Sequence, residues 1–169
     1  ISTPSVPSDD YGQNRSNAGS VSVGGANNGN IEVAGDRDWF AVTLAAGNTY
    51  HFNLEGSATG NGTLADPYIR GLYNSSGGLL SGTSNDDGGV GANSQMEYRA
   101  TRSGTYYIAA AASGDGTGTY KVSVNQVGSA GLADDYGSTT STAGSLSLGV
   151  AKNGEIEAAS DVDWFGVRL

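Results

Sequence analysis

The sequence predicts an all-β protein, an antiparallel β-sandwich, and three observations support that fold class. Apolar and polar residues alternate with a period of two in many short segments, as they do in half-buried strands. Turn residues separate these segments, since the 169 residues include 28 glycines and many Ser, Thr and Asn. No segment shows a convincing helical period. The spacing of strands and turns therefore predicts the fold class.

The predicted strands follow one another along the chain, each bounded by turn residues. They cover 20–23, 29–33, 38–44, 49–54, 67–73, 79–80, 95–100, 105–112 and 118–125. Phe40, Val42 and Leu44 share one face of the third strand, and the fourth alternates in the same way. The short turn at 45–48 predicts that these two strands form a hairpin. The alternation of apolar and polar residues changes phase at Gly71, where we expect a β-bulge.

An internal repeat predicts how the chain is divided into domains. Residues 9–44 align without a gap on residues 134–169, with 22 of 36 positions identical. We expect a lead-in at 1–8, a complete module at 9–125, a linker at 126–133 and the first third of a second copy at 134–169. So short a piece cannot bury a core of its own. It is expected to dock on the first module, to pair with another chain, or to be ordered by crystal packing.

The charge of the chain excludes some partners and favours others. The formal net charge is −9, from 17 acidic and 8 basic residues. Such a surface repels the phosphates of nucleic acids and of anionic membranes. No apolar run is long enough for a membrane span. There is no cysteine, so disulfides and thiolate metal sites are excluded, and stability depends on packing and on bound ions.

Two acidic pairs predict a metal site near the start of the module. Asp36 and Asp38 stand two residues apart where a loop enters a strand, and Asp9 and Asp10 precede the first strand. Calcium takes six to eight oxygen ligands, which both pairs supply if the lead-in folds back over the loop. The alternative is that these residues cap turns. Recurrence of both pairs in the second copy favours the metal; the repeated residues are Asp134, Asp135, Asp161 and Asp163.

A third acidic pair, Asp86 and Asp87, lies in a loop just before two glycines. This arrangement predicts a calcium loop, a type I′ turn, or both, and the sequence leaves these alternatives open. Asp66 and Asp115 are weaker acidic candidates in other loops. The loop matches neither the EF-hand template nor the Gly-rich nonapeptide β-roll.

The sequence predicts no catalytic residue. His51 is the single histidine and is expected to face solvent, and no Gly-x-Ser-x-Gly motif accompanies it. The acidic pairs lie on turns beside glycine, where no apolar wall would raise a carboxyl pKa for glycoside cleavage. Trp39 lies on the strand face opposite Phe40. It either contacts a ligand such as a sugar or peptide, or is covered by a neighbouring loop.

Several of these pieces, in this order and spacing, resemble one known family. They are Asp9-Asp10-Tyr11-Gly12, Gly35-Asp36-x-Asp38-Trp39-Phe40, Ala46-Gly47-x-Thr49-Tyr50, Leu64-x-Asp66-Pro67, Asn85-Asp86-Asp87-Gly88, Ser103-Gly104-Thr105-Tyr106-Tyr107 and Gly118-Thr119-Tyr120. The chain resembles the bacterial pre-peptidase C-terminal domain over 9–124, and the resemblance restarts at Asp134. The resemblance implies that the sandwich is jelly-roll-like. The resemblance implies a calcium site with ligands at Asp9, Asp10, Asp36 and Asp38, and further candidate ligands at Asp86 or Asp87.

The resemblance also implies where such modules occur. They are appended to secreted proteases and collagenases, or strung together in large hemolysin-type and serralysin-like calcium-binding proteins. The expected function is thus a non-catalytic calcium-binding module of a secreted bacterial protein. Its expected partners are calcium ions and neighbouring copies of the module, with calcium fixing the lead-in and the inter-module geometry. The alternative is an appendage that targets a secreted protease to collagen, a polysaccharide or a cell surface.

Overall fold

The computed structural model describes residues 8–129, 136–154 and 162–168. The chain divides into two compact units, Ile1–Ser129 and Ala130–Leu169, which we describe separately. The first unit is a β-sandwich of two four-stranded sheets, so the predicted all-β class is confirmed.

The first unit contains eight strands among its described residues, and their order places four in each sheet. The strands are β1 (Gly19–Ser20), β2 (Gly25–Ile31), β3 (Arg37–Leu44), β4 (Thr49–Glu55), β5 (Pro67–Tyr73), β6 (Ser94–Arg99), β7 (Gly104–Ala112) and β8 (Gly118–Gly128), with a short 3-10 turn at Ser57–Thr59. Sheet one has the order β1-β3-β7-β5, and sheet two has the order β2-β8-β4-β6. The pairs are antiparallel, as predicted, except that β1 lies parallel to β3.

The hydrophobic core lies between the two sheets and follows from the alternation in each strand. Sheet one contributes Phe40 and Ile108, and sheet two contributes Phe52; all three side chains are fully buried. The remaining core side chains include Ile31, Val42, Leu44, Tyr50, Leu54, Leu64, Ile69, Leu72, Tyr120, Val122 and Val124. Burying an apolar side chain of this size stabilises the fold by about 1.5–3 kcal/mol.

The predicted hairpin between the third and fourth strands is wrong. β3 pairs with β7 and β1, whereas β4 pairs with β6 and β8, so the chain crosses from sheet one to sheet two through the turn at 45–48. Each of the two strands has one apolar face, and in a sandwich these faces meet across the core. The Tyr50 hydroxyl accepts a hydrogen bond from the Ala45 amide at 2.9 Å and so helps to hold the crossing turn.

Four other boundaries differ from the predictions. The second strand, predicted at 29–33, covers Gly25–Ile31, because its pairing with β8 begins four residues earlier. The first strand is limited to Gly19–Ser20, because the chain then turns to reach sheet two. The predicted strand at 79–80 is a single bridge between Leu79 and Tyr73. The predicted linker at 126–133 begins too early, since β8 continues to Gly128, which pairs with the start of β4.

The predicted bulge at Gly71 is confirmed. The pairing of β5 with β7 shifts register between Ile69 and Gly71. Gly71 has a φ of 146°, a conformation that side chains other than glycine rarely adopt. A Cβ at this position would lie 2.6 Å from the Leu79 Cδ1 atom. Both the backbone and the packing therefore require glycine here.

The second unit repeats the pairing of the first strands. β9 (Gly144–Leu146) and β10 (Phe165–Val167) form a parallel pair in which Phe165 lies beside Gly144. This is the register of Phe40 beside Gly19, shifted by the repeat offset. A tyrosine ring packs on the phenylalanine in both copies, with centroids 4.7 Å apart in the first and 4.6 Å in the second. The repeat is therefore structural over these residues, and a tandem series of complete modules stays a prediction.

Replacing Gly71 by alanine is expected to destabilise the first unit by about 1–3 kcal/mol, because the new Cβ meets Leu79 and the backbone is strained. Urea unfolding measures the loss. Gly116→Ala is the matched control, since its nearest atom would be the Ala112 Cβ at 3.4 Å; a change within about 0.5 kcal/mol is expected there. Equal stability of Gly71→Ala and the wild type would contradict the assigned role of the bulge.

Candidate metal centre

Five carboxylates gather at the end of the sandwich where β3 begins. Asp9 and Asp10 come from the segment before β1, and the other three, Glu32, Asp36 and Asp38, lie between the end of β2 and the start of β3. One oxygen from each of Asp9, Asp36 and Asp38 lies within 4.8 Å of the other two, and the same holds for Asp9, Asp10 and Glu32. The structure thus brings together the two acidic pairs singled out in the sequence.

Asp38 is the most buried member of this carboxylate cluster. It lies on the inward face of β3, two residues before Phe40, and is 0% exposed. The Tyr120 hydroxyl, which comes from β8 in the opposite sheet, donates a hydrogen bond to Asp38 Oδ2 at 2.5 Å. Asp38 Oδ1 is buried and has no hydrogen-bond partner among the described residues. A buried oxygen of this kind normally has a hydrogen-bond partner, so Asp38 Oδ1 is free to accept one from a ligand.

A glycine makes room for the Tyr120 hydroxyl. Gly29 of β2 pairs with Tyr120 of β8, and any side chain at Gly29 would overlap the tyrosine hydroxyl. The hydroxyl therefore reaches Asp38 because this position on the adjacent strand lacks a Cβ. The Asn28-Gly29 dipeptide recurs in the second copy at the same offset.

The sequence-based reasoning missed Glu32. This residue directly follows β2, and its Oε2 atom is buried without a hydrogen-bond partner among the described residues. Burial raises the pKa of the Glu32 carboxyl, and the neighbouring Asp36 and Asp10 raise it further. The available signal was the repeat, in which Ile31-Glu32 recurs as Ile156-Glu157.

Burial and mutual repulsion make full ionisation of the cluster unfavourable. Burial raises the pKa of Asp38 to about 8; Asp10, Asp36 and Glu32 add to the effect, and the Tyr120 hydrogen bond opposes it. Burial also raises the pKa of Asp10, with smaller contributions from Asp9 and Asp36. A divalent cation would reverse both effects, because it supplies the opposite charge where water is excluded.

The turn-capping alternative also describes part of the geometry. Asp36 Oδ1 accepts a hydrogen bond from the Arg37 amide at 2.7 Å, and Asp36 Oδ2 accepts one from the Glu32 amide at 3.4 Å. Asp10 accepts hydrogen bonds from the backbone of Tyr11 and Asn30. These bonds tie the segment and the loop to the strands. A carboxylate has about four acceptor sites, so capping leaves room for a cation.

A second acidic cluster forms around the loop between β5 and β6. One oxygen from each of Asp66, Asp86 and Asp87 lies within 4.8 Å of the others, and Asp66 Oδ1 is buried without a hydrogen-bond partner among the described residues. Burial raises the pKa of Asp66, and Asp86 and Asp87 raise it further. The type I′ alternative for this loop is wrong, because none of the residues 85–89 has a positive φ.

Within the first unit, Trp39 and His51 belong to neither cluster. Trp39 is 9% exposed and packs on Tyr73 and Tyr107, with ring centroids 4.2 Å and 5.8 Å away, so it is covered within its own sheet face. His51 lies 3.1 Å from a Glu97 carboxylate oxygen. A contact between Trp39 and a ligand stays a prediction. Of the second-copy candidates, Asp134, Asp135 and Asp161 lie outside the described residues, and Asp163 lies just before β10.

Comparison with protein families agrees with the resemblance found in the sequence. Residues 36–112, from the start of β3 to the end of β7, match the family model of the bacterial pre-peptidase C-terminal domain. Domains of this family are non-catalytic appendages of secreted bacterial proteases, so the prediction of a non-catalytic chain is confirmed. A search of curated proteins finds no significant match.

Two solved structures are similar to the chain. One is the pre-peptidase C-terminal domain of collagenase from Bacillus anthracis, at 18% identity, covering 63% of this chain and 93% of that chain, with a TM-score of 0.48. The other is PliG from Aeromonas hydrophila, a periplasmic lysozyme inhibitor of g-type lysozyme, at 18% identity, covering 63% and 96% of the two chains, with a TM-score of 0.41. Within the described residues, no helix has the length and apolar character needed to cross a membrane.

In a chelator, the free energy of unfolding is expected to fall as the pH rises from about 4 to about 8. In that range the unfolded chain carries an ionised Asp38, with a pKa near 3.8, whereas the folded protein keeps the proton up to about pH 8. Urea unfolding at several pH values measures the slope.

Asp38→Asn is expected to flatten this pH dependence, since the amide does not titrate. Asp115→Asn removes the same charge from an exposed turn outside both carboxylate clusters and should leave the slope intact. A slope that is equal in all three proteins, or stability that rises with pH, would rule out a buried protonated Asp38.

Proposed function

We propose that this chain is a non-catalytic calcium-binding module of a secreted bacterial multidomain protein. One observation carries the proposal: the Asp38 carboxylate is fully buried inside an acidic cluster and has one oxygen without a partner among the described residues. An unpaired charge in such a place is strongly destabilising. A bound cation would satisfy that oxygen and remove the repulsion within the cluster.

The donor set favours calcium over other cations. The cluster offers the oxygens of carboxylates and of nearby backbone carbonyls. Calcium prefers such hard oxygen ligands and binds six to eight of them. The chain has no cysteine, and its single histidine lies outside the cluster, so the nitrogen and sulfur ligands of zinc are missing. Asp9, Asp36 and Asp38 would hold the ion, and Asp10 and Glu32 would complete the acidic surroundings.

The position of the carboxylate cluster supports a tethering role for a bound calcium ion. Asp9 and Asp10 stand at the start of the module, ahead of its first strand, whereas Asp36 and Asp38 belong to the sandwich. Calcium would tie the segment that enters the module to the module itself. It would thereby fix the angle at which a preceding copy or domain is attached. The repeat at an offset of 125 residues supports neighbouring copies as partners.

The second acidic cluster extends the proposal to another ion. The buried Asp66 oxygen resembles that of Asp38 in having no described partner, and Asp86 and Asp87 stand beside it. The Ser94 hydroxyl helps to hold this loop, since its oxygen lies 2.7 Å from the Asn85 carbonyl oxygen and 2.6 Å from the Asp86 carbonyl oxygen, and its single proton is available to either acceptor. Counting the bound ions in Asp86→Asn/Asp87→Asn by native mass spectrometry tests this site separately.

A targeting appendage for a secreted protease is the second candidate function. On the outer face of sheet one, Arg37, Tyr68 and Arg70 line a cleft of about 230 Å³ that reaches Asp36. Arg70 lies over the Tyr68 ring, 5.3 Å from its centroid, which is an arrangement found in recognition surfaces. An array of collagen peptides and polysaccharides would distinguish this function from a purely structural one.

Calcium is expected to raise the melting temperature of the protein. At 100 times its Kd, the ion adds about 2.7 kcal/mol, or roughly 10 °C for a unit of this size. Asp36→Asn/Asp38→Asn should lose the gain, and the control Asp115→Asn should keep it. Differential scanning calorimetry with calcium and with chelator measures the effect. A wild-type melting temperature that is indifferent to both would refute the proposal.

Tyr120→Phe is expected to weaken calcium binding roughly three- to tenfold, because the hydroxyl stabilises the ionised form of Asp38 more than the protonated form. Tyr50→Phe is the matched control: it removes a hydroxyl that is just as buried but bonds the crossing turn. Calorimetric titration should show normal calcium affinity for Tyr50→Phe. Unchanged affinity in Tyr120→Phe, or an equal loss in both variants, would contradict the role of Tyr120.

A further inference from the structure

A polar cavity lies at the end of the sandwich opposite the carboxylate cluster. β3 begins beside that cluster and ends at Leu44, which pairs with Gly104, so Gly104 marks the far end. There, the turn after β5 and the turn between β6 and β7 enclose a cavity of about 470 Å³. This volume lies in the range of small-molecule sites, roughly 300–1,000 Å³.

Two tyrosine rings and an apolar side chain line the inner part of this cavity. Tyr98 of β6 and Tyr106 of β7 have ring centroids 5.8 Å apart, and Leu80 packs beside them against the core. Tyr106 is 6% exposed, and its hydroxyl donates a hydrogen bond to the Arg102 carbonyl at 2.9 Å. The cavity therefore has an aromatic floor held in place by the β6–β7 turn.

The rim of the cavity carries hydroxyl groups that make no hydrogen bond to other described residues. Ser75 and Ser76 line the cavity, and their hydroxyls make no hydrogen bond to other described residues. Their backbone is nonetheless fixed. Asn74 Oδ1 accepts hydrogen bonds from the Ser76 and Gly78 amides, both at 2.9 Å, and Arg15 donates one to the Ser75 carbonyl at 2.7 Å. The hydroxyls are thus presented by a rigid turn.

The cavity lining carries a positive charge, whereas the whole chain carries a net negative charge. Arg102 is the one charged side chain in the cavity lining, and it is exposed and forms no ion pair within the described part of the chain. The net charge of the chain is −9, yet no carboxylate lines this cavity. A guanidinium presents a planar fork that matches a carboxylate.

We propose that this cavity binds an acidic saccharide unit, a polyhydroxyl ring that carries one carboxylate. The faces of a sugar ring are apolar and pack on aromatic side chains; the half-buried Tyr98 ring supplies such a surface, and the buried Tyr106 ring supports it from the core side. Sugar hydroxyls bond the unused hydroxyls of the rim, and the carboxylate pairs with Arg102. A simple carboxylate or an acidic peptide would engage Arg102 and leave the rim unused. The site does not depend on the proposed calcium, which lies at the other end.

Calorimetric titration of the full chain with trigalacturonate, maltotriose and triglutamate tests the proposal at about 150 mM salt. We expect trigalacturonate to bind at least tenfold more tightly than maltotriose, because only the former carries carboxylates for Arg102. Triglutamate should bind at least tenfold more weakly than trigalacturonate. Saturation-transfer NMR, with irradiation of the aromatic protons, should label the ring protons of trigalacturonate.

Two matched variants locate the site. Arg102→Gln should reduce the affinity for trigalacturonate about tenfold and leave maltotriose unchanged. Arg99→Gln removes the same charge three residues away, outside the cavity lining, and should bind trigalacturonate normally. Arg102→Lys, which keeps the charge and loses the fork, should fall between the two. Thermal melting verifies that each variant is folded.

Three results would overturn the proposal. The first is the absence of trigalacturonate binding. The second is equal binding of triglutamate, which would show that the hydroxyl rim and the aromatic floor play no part. The third is an equal loss in Arg99→Gln and Arg102→Gln, which would show a diffuse effect of charge in place of a site. Failure of the chain to bind calcium would not affect the trigalacturonate result, because the saccharide cavity and the carboxylate cluster are tested with different ligands.

Discussion

The hydrogen bond from Tyr120 to Asp38 is the interaction on which the carboxylate end of the molecule depends. It joins sheet two to sheet one, and it satisfies one oxygen of a carboxylate that 0% exposure removes from water. Asp38 is buried for the same reason as Phe40, because both side chains point to the inward face of β3. The alternation that builds the hydrophobic core therefore also buries a carboxyl group at the end of that core. The remaining oxygen defines the chemistry of the site, and the other acidic residues gather around it.

Strand alternation and repetition were sufficient to predict much of this molecule. They predicted the sandwich, the extent of β3 and β4, the bulge at Gly71 and the acidic pairs that meet in the carboxylate cluster. They did not predict that the turn at 45–48 crosses between sheets, because a short polar turn between two amphipathic strands has the same local sequence in either case. Strand pairing is decided by contacts with β7 and β8, far along the chain.

The site residues that sequence reasoning missed share a different cause. Tyr120 lies 82 positions from Asp38, and its place in an alternating strand marks it as an ordinary core residue. Glu32 stands alone after β2, with no second acid beside it to form a recognisable pair. In both cases the residue reaches the carboxylate cluster through strand pairing that brings distant parts of the chain together. A gapless repeat contained a hint of Glu32, but none of Tyr120, whose strand lies beyond the repeated segment.

The parallel pairing of β1 with β3 has a consequence for the way such chains fold. β10 places Phe165 beside Gly144 of β9 in the register in which β3 places Phe40 beside Gly19 of β1, and 22 of 36 positions are identical between the repeated segments. During folding, each of the two opening strands could therefore pair with either phenylalanine-bearing strand, and exchange between them would act as a kinetic trap. The short, two-residue length of β1 limits this hazard, since a wrong pairing gains few hydrogen bonds and dissociates quickly.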